Sequence, residues 1–209
     1  MKILSKNIKI GINTGLKFNI CSSLKTLDIS SFDTSNVVNM KSMFWNCSSI
    51  ETLDLSNFDT SNVVDMDYMF SDCSSLETLK LSSFDTSKVK DISSMFDNCE
   101  SLKALNLSNF DTSKATDMGS MFYNCSSLKT LDLSSFNTSK VKDMQYMFSD
   151  CSSLETLDLS NFDTRKVKNM EHMFDGCLSL EEVRLPKDRV SRNKILKQLK
   201  RDKIHCKTI

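Results

Sequence analysis

The chain has 209 residues, 39% of them hydrophobic, with one Pro, four Gly, and 27 basic side chains against 27 acidic ones. That composition excludes a disordered tract or a Pro/Gly-rich linker, and no apolar run approaches the length of a membrane span. The zero net charge hides an asymmetry: residues 187–209 carry nine Lys or Arg against Asp188 and Asp202, a local +7, which leaves −7 on residues 1–186.

In the opening segment, MKILSKNIKIGINTGLKFNI, Lys2, Lys6, Lys9 and Lys17 interrupt the isoleucines, so no continuous apolar stretch of signal-peptide length forms. Phe18 stands 26 residues before Phe44, and residues 1–20 therefore read as a degenerate half-repeat that caps the N-terminal end of a repeat array.

From Cys21 the chain is periodic. Cys21, Cys47, Cys73, Cys99, Cys125, Cys151 and Cys177 recur every 26 residues without insertion, giving six full units over 21–176 and a seventh that diverges before Pro186. Residues 47–72 and 125–150 agree at 19 of 26 positions, too many for shared composition. Fixed-period self-similarity of this kind predicts an α/β solenoid in which each unit packs only on its neighbours.

Within a unit the hydrophobic period changes from two to about three and a half. Leu128, Leu131 and Leu133 form L-x-x-L-x-L, a short strand with Leu131 and Leu133 inward and Thr130, Asp132 and Ser134 outward. The fold class is therefore a leucine-rich-repeat solenoid with a parallel β-sheet on one face. After Phe136 and a turn-forming NTS or DTS, Val141, Met144, Met147 and Phe148 make an inward stripe at helical spacing, which predicts short helices on the other face. Asp143 and its equivalents Asp65, Asp91 and Asp117 would lie in the early helical turns, favoured there by the helix dipole.

All 13 Phe fall on two columns, and every Met except Met1 falls on two others, with Ile92 filling the missing Met slot. This regularity marks Met as core filler rather than a peptide groove. In-register residues of adjacent units stand about 4.8 Å apart, so the cysteines form a ladder. Buried thiols are the reading adopted. Adjacent-rung disulfides are compatible in distance but not in side-chain direction, and one lone cysteine per unit with no nearby His does not make a metal site.

The tail after Pro186 reads as a short basic capping helix over 187–209, with Ile195, Leu196 and Leu199 on one side and Cys206 off the ladder. Its alternative is a contact with an anionic membrane or nucleic acid.

Residues with catalytic potential are sparse. His172 occupies a variable slot and His205 the tail, neither beside a repeated nucleophile, and no phosphate-cradling Gly motif is present. Neither enzymatic activity nor a cofactor nor a resident metal is expected. A repeated module instead presents columns. The outward sheet column Asp28, Asp54, Lys80, Asn106, Asp132, Asp158, continued by Arg184, is the candidate binding face. A rival basic column runs through Lys88, Lys114, Lys140 and Lys166. Trp45, Tyr68, Tyr123 and Tyr146 occupy variable slots and are weaker contact candidates.

The repeated phrase CSSLxTLDLSxFDTSxVxxMxxMF, over about residues 18–185, resembles the repeat of the BspA-like leucine-rich-repeat surface proteins, the variant also found in mycoplasma-type lipoprotein repeats. The resemblance implies an adhesion or protein-binding module at the cell surface or outside the cell. Its partner would be a protein, an extracellular-matrix component or a host-surface ligand, with no nucleic acid and a monomeric chain. The alternative is a cytoplasmic interaction scaffold.

Overall fold

A computed structural model describes residues 23–209; the N-terminal capping reading over 1–20, with Phe18, and the Cys21 rung lie outside the described residues. Strands β1 (Thr52–Asp54), β2 (Thr78–Lys80), β3 (Thr156–Asp158) and β4 (Glu182–Arg184) are three residues long and fall at the repeat interval, but units 99–124 and 125–150 form none: the strand expected around Leu131 is absent, and the parallel sheet is in two pieces, β1 with β2 and β3 with β4. They pair in parallel at the repeat register, Leu53 opposite Leu79 and Leu157 opposite Val183. Each buries its middle residue and exposes or half-exposes the outer two, as a period-two pattern requires.

A second parallel ladder joins the units on the opposite side, through Asn39, Asp65, Asp91, Asp117, Asp143 and Asn169, each bridged to the next. Here the predicted short helices are corrected: among the described residues no unit contains one. In the first unit the amides of Met43, Trp45 and Cys47 bond to carbonyls three residues back, at 3.1, 3.2 and 3.1 Å. The amides between them, of Ser42, Phe44 and Asn46, reach across to Asp67, Met69 and Ser71 of the next unit at 2.8, 2.9 and 2.8 Å. An α-helix needs every amide for its own i−4 carbonyl; this segment gives alternate amides to its neighbour.

Left-handed residues enforce the difference. Ser42 (φ 56°) and Asn46 (φ 60°) break any helix, and the same pair recurs as Tyr68 and Asp72, Ser94 and Asn98, Ser120 and Asn124, and Tyr146 and Asp150. The last unit has Gly176 at φ +74°, where an added Cβ would collide with Asp150 Oδ1. The helix-dipole role assigned to the Asp65 column falls with the helix. Asp65, Asp91, Asp117 and Asp143 instead accept, through Oδ1, the amide two residues on, at 3.1, 3.0, 2.9 and 2.8 Å. Asp and Asn favour such side-chain-closed turns.

The core runs between the two ladders as one continuous cluster. Phe44, Phe70, Phe96, Phe122, Phe148 and Phe174 stack ring on ring, at centroid separations of 5.7, 5.6, 5.7, 5.8 and 6.0 Å. The Met columns are buried beside them, apart from the partly buried Met170. The described ladder cysteines are all buried, and Cys73, Cys99, Cys125, Cys151 and Cys177 are thiols without a disulfide. Each thiol from Cys73 to Cys177 donates to the carbonyl of the Phe 29 residues earlier, at 3.0–3.2 Å. Burial pushes Cys73 and Cys151 up to about 12, so the nucleophilic thiolate is suppressed. The Thr of DTS, read from sequence as a turn residue, is also buried and interlocks neighbouring units: Thr60 Oγ1 donates to Asp85 O at 2.9 Å and accepts from Asp85 N at 2.8 Å.

At the C-terminal end helix α1 (Arg189–Arg201) lies on the last unit, with Ser191, Ile195, Gln198 and Leu199 buried and Leu196 exposed. Asp188 caps it by accepting from Val190 N and Ser191 N. The helix supplies side chains where another unit would supply backbone. Phe148 N donates to Met173 O at 3.0 Å, whereas Phe174 N donates to Asp202 Oδ2 at 2.9 Å. Ser191 Oγ accepts from Thr164 N, and Lys194 Nζ donates to Thr164 O and Val167 O. Strand β5 (Lys207–Thr208) then adds to β4 in parallel.

Candidate binding face

The candidate sheet residues line up as the repeat requires. Asp54, Lys80, Asn106, Asp132 and Asp158 are exposed and Asp28 is half-buried. They are not simple solvated charges. Asp28, Asp54, Asn106, Asp132 and Asp158 each use Oδ1 to accept the amide of the Ser two residues on, at 2.9–3.2 Å, closing the turn that ends each rung. The second oxygen meets the next rung where a cation is present: Lys80 Nζ lies 2.8 Å from Asp54 Oδ2, and Arg184 3.5 Å from Asp158 Oδ2. Hydrogen bonds from Lys80 and Ser56 hold Asp54 down at about 2. The Ser134 amide and hydroxyl lower Asp132, which has no cation partner among the described residues.

Between rungs the face is indented. One depression of about 430 Å³ is lined by Asp28, Ser30, Asp54, Ser56 and Asn57. Another, of about 330 Å³, is lined by Thr130, Asp132, Thr156, Asp158, Ser160 and Asn161. These are rows of carboxylate, hydroxyl and amide groups over an aliphatic floor, suited to hydrogen-bonding an extended or knobbed polar surface. Along one border, Lys25–Glu51 (2.7 Å), Lys103–Glu77 (2.7 Å) and Lys129–Glu155 (3.6 Å) pair between adjacent units. Their alternation of sign favours the native register, although each exposed pair is worth only about 0–1 kcal/mol.

In the rival basic column Lys88 donates to Asn62 Oδ1 at 2.9 Å. Lys114, Lys140 and Lys166 are exposed and have no ion-pair partner among the described residues. His172 stacks on Tyr146 at 5.1 Å and stands 3.6 Å from Asp175. Among the described residues no group of three His, Cys, Asp or Glu is placed to hold a metal ion, and no helix is long and apolar enough to cross a membrane.

One titrating group has no signature in the sequence. Asp97 sits at the turn edge with Oδ1 buried and without a hydrogen-bond partner among the described residues. Burial, with Asp72 adding repulsion, pushes its carboxyl up to about 7 from the ordinary 3.8. Its contribution to stability is therefore full below the unfolded value and is lost as pH rises through about 7. Asp97→Asn should stabilise the chain by roughly 1–2 kcal/mol at about pH 8, after allowance for solvent screening, and by almost nothing at about pH 3. Urea midpoints at the two pH values measure the difference.

Comparison with known proteins gives two findings. Residues 14–105 and 96–197 each match the family model described as Mycoplasma protein of unknown function, DUF285. A crystal structure of a leucine-rich repeat protein from Bacteroides ovatus is 21% identical, over 96% of this chain and 66% of that one, with a TM-score of 0.29. No curated protein matches.

Proposed function

Because the chain belongs to the DUF285 family of mycoplasma proteins of unknown function, we propose that it is a non-enzymatic binding module: a leucine-rich-repeat solenoid displaying its outward sheet column to a protein or extracellular-surface ligand, in the manner of the BspA-like surface proteins it resembles. Residues 187–209 act as its C-terminal cap. The observation that carries this reading is that two depressions between rungs, four repeats apart, are lined by the same residue types: Asp28, Ser30, Asp54, Ser56 and Asn57 in one, Asp132, Ser134, Asp158, Ser160 and Asn161 in the other. A ligand that spans several rungs gains from each contact, because binding at one raises the effective concentration at the next.

The same face would serve an intracellular interaction scaffold, and cell fractionation separates the two. A second surface, Lys88, Lys114, Lys140 and Lys166, suits an anionic ligand; its support is that the last three are exposed and form no ion pair among the described residues, although Asp111 and Asp163 lie near enough to offset part of their charge. The test compares variants for retention on immobilised extracellular-matrix extract. Because Oδ1 of the sheet aspartates closes a turn, Asp→Asn is the appropriate change, and Asn106 already fills that role in the native column. Asp132→Asn alone should weaken retention by less than about twofold, and Asp28, Asp54, Asp132 and Asp158→Asn together by about tenfold or more, with circular dichroism unchanged. Loss in a Lys88, Lys114, Lys140 and Lys166→Gln variant, with none in the aspartate set, moves the function to the basic column.

A further inference from the structure

Helix α1 carries six cations and no acidic residue in 13 positions, and Lys187, Lys203 and Lys207 beside it bring the segment 187–209 to nine. Part of this charge has work within the molecule. Lys194 takes the terminal carbonyls of Thr164 and Val167, and Arg192 donates to Pro186 O and Lys187 O at 3.1 and 3.0 Å. Arg201 pairs with Glu171, and Lys207 with Glu182, each at 3.2 Å. The remainder, Lys187, Arg189, Lys197, Lys200 and Lys203, is exposed and has no carboxylate partner among the described residues. At 100° per residue, Arg189, Lys197 and Lys200 flank Asn193 on the side of α1 opposite the buried Ser191, Ile195 and Gln198.

Apolar side chains border this face. Val190 is 50% and Leu196 37% exposed. Between α1 and strands β4 and β5 lies a depression of about 600 Å³ lined by Leu185, Leu196 and Ile209 together with Arg184, Lys187 and Arg192. We infer that the outer face of α1 is a docking site for an anionic phospholipid surface. Unpaired cations meet lipid phosphates and carboxylates there, while the apolar side chains beside them enter the headgroup layer. Residues 187–209 hold no Phe, Tyr or Trp, so the face lacks the stacking rings with which single-stranded nucleic acid is held. The −7 carried by residues 1–186 is repelled by the same membrane, which orients the chain with its C-terminal end down and leaves the sheet column free.

The test is flotation of the full chain with vesicles of phosphatidylcholine alone and of phosphatidylcholine with phosphatidylserine. Binding should require phosphatidylserine and weaken steeply with added salt. Changing Lys187, Arg189, Lys197, Lys200 and Lys203 together to Gln should reduce it by roughly tenfold or more. Gln is a comparable helix former, so circular dichroism should not change. Leu196→Gln, which keeps every charge, should reduce it by about threefold. Lys25, Lys103 and Lys129→Gln, which remove cations elsewhere, should leave it intact. Equal binding to phosphatidylcholine alone, undiminished binding by the five-Gln variant, or single-stranded RNA bound more tightly than the phosphatidylserine vesicles would each overturn the assignment.

Discussion

Phe122→Ala should lower stability by about 3–5 kcal/mol, a large part of the roughly 5–15 kcal/mol available to a folded domain. The ring is fully buried and lies between Phe96 at 5.7 Å and Phe148 at 5.8 Å, so its removal opens a cavity that neighbours on either side cannot close without breaking their own stacks. The effect should also be local. Units touch only their neighbours, so hydrogen-exchange protection should fall first in units 99–124 and 125–150 and survive longest near α1. Phe174→Ala should cost less, because among the described residues that ring stacks only on Phe148, at the end of the column. The urea midpoints of the two variants decide this, and equal losses at both sites would contradict a continuous stack.

The inward columns were legible because a repeat writes its core many times. Leu131, Met144, Phe148 and Cys151 mark columns that recur at fixed places, with Ile92 standing in for Met and Val183 for Leu, and all four are buried as the pattern implied. The local backbone of the Met–Phe segment was not legible. Spacings of three and four residues place side chains on one side of a helix, and they also do so for successive three-residue turns. The sequence sign of the difference is the slot before each Cys, Asn46, Asp72, Asn98, Asn124, Asp150 and Gly176, residue types that tolerate the left-handed region.

For the binding face, position was legible and chemistry only partly so. Asp54 and Asp132 stand outward as period two requires, yet the same carboxylates close turns, and at Asp54 the cation of the next rung partly neutralises the charge. In the sequence Thr60 and its equivalents read as turn residues because hydroxyls favour turns, whereas Thr34, Thr60, Thr86, Thr112 and Thr138 bridge units in the interior. Asp97 shares a variable column with Trp45, Ser71, Tyr123, Ser149 and the exposed Asp175, so residue type does not single it out and only the surrounding burial reveals its raised carboxyl.

The largest effect of all belongs to the register. If every cross-unit bond, ring stack and ion pair depends on the 26-residue repeat, removing residues 73–98 brings Phe70 onto Phe122 and Glu51 beside Lys103, each position onto its equivalent. The product loses two interfaces, gains an equivalent one and should remain a cooperatively melting, shorter stack. Removing only residues 73–85 sets Asp72 before Thr86, so strand lies over turn and polar outward positions over Phe and Leu; the change buries unpaired charge and should destabilise by more than the whole domain can bear. Thermal unfolding of the two deletions by circular dichroism is the most direct measurement. A register-locked solenoid gives a cooperative transition for the 26-residue deletion and none for the shorter one; two similar transitions, or none in either, would contradict it.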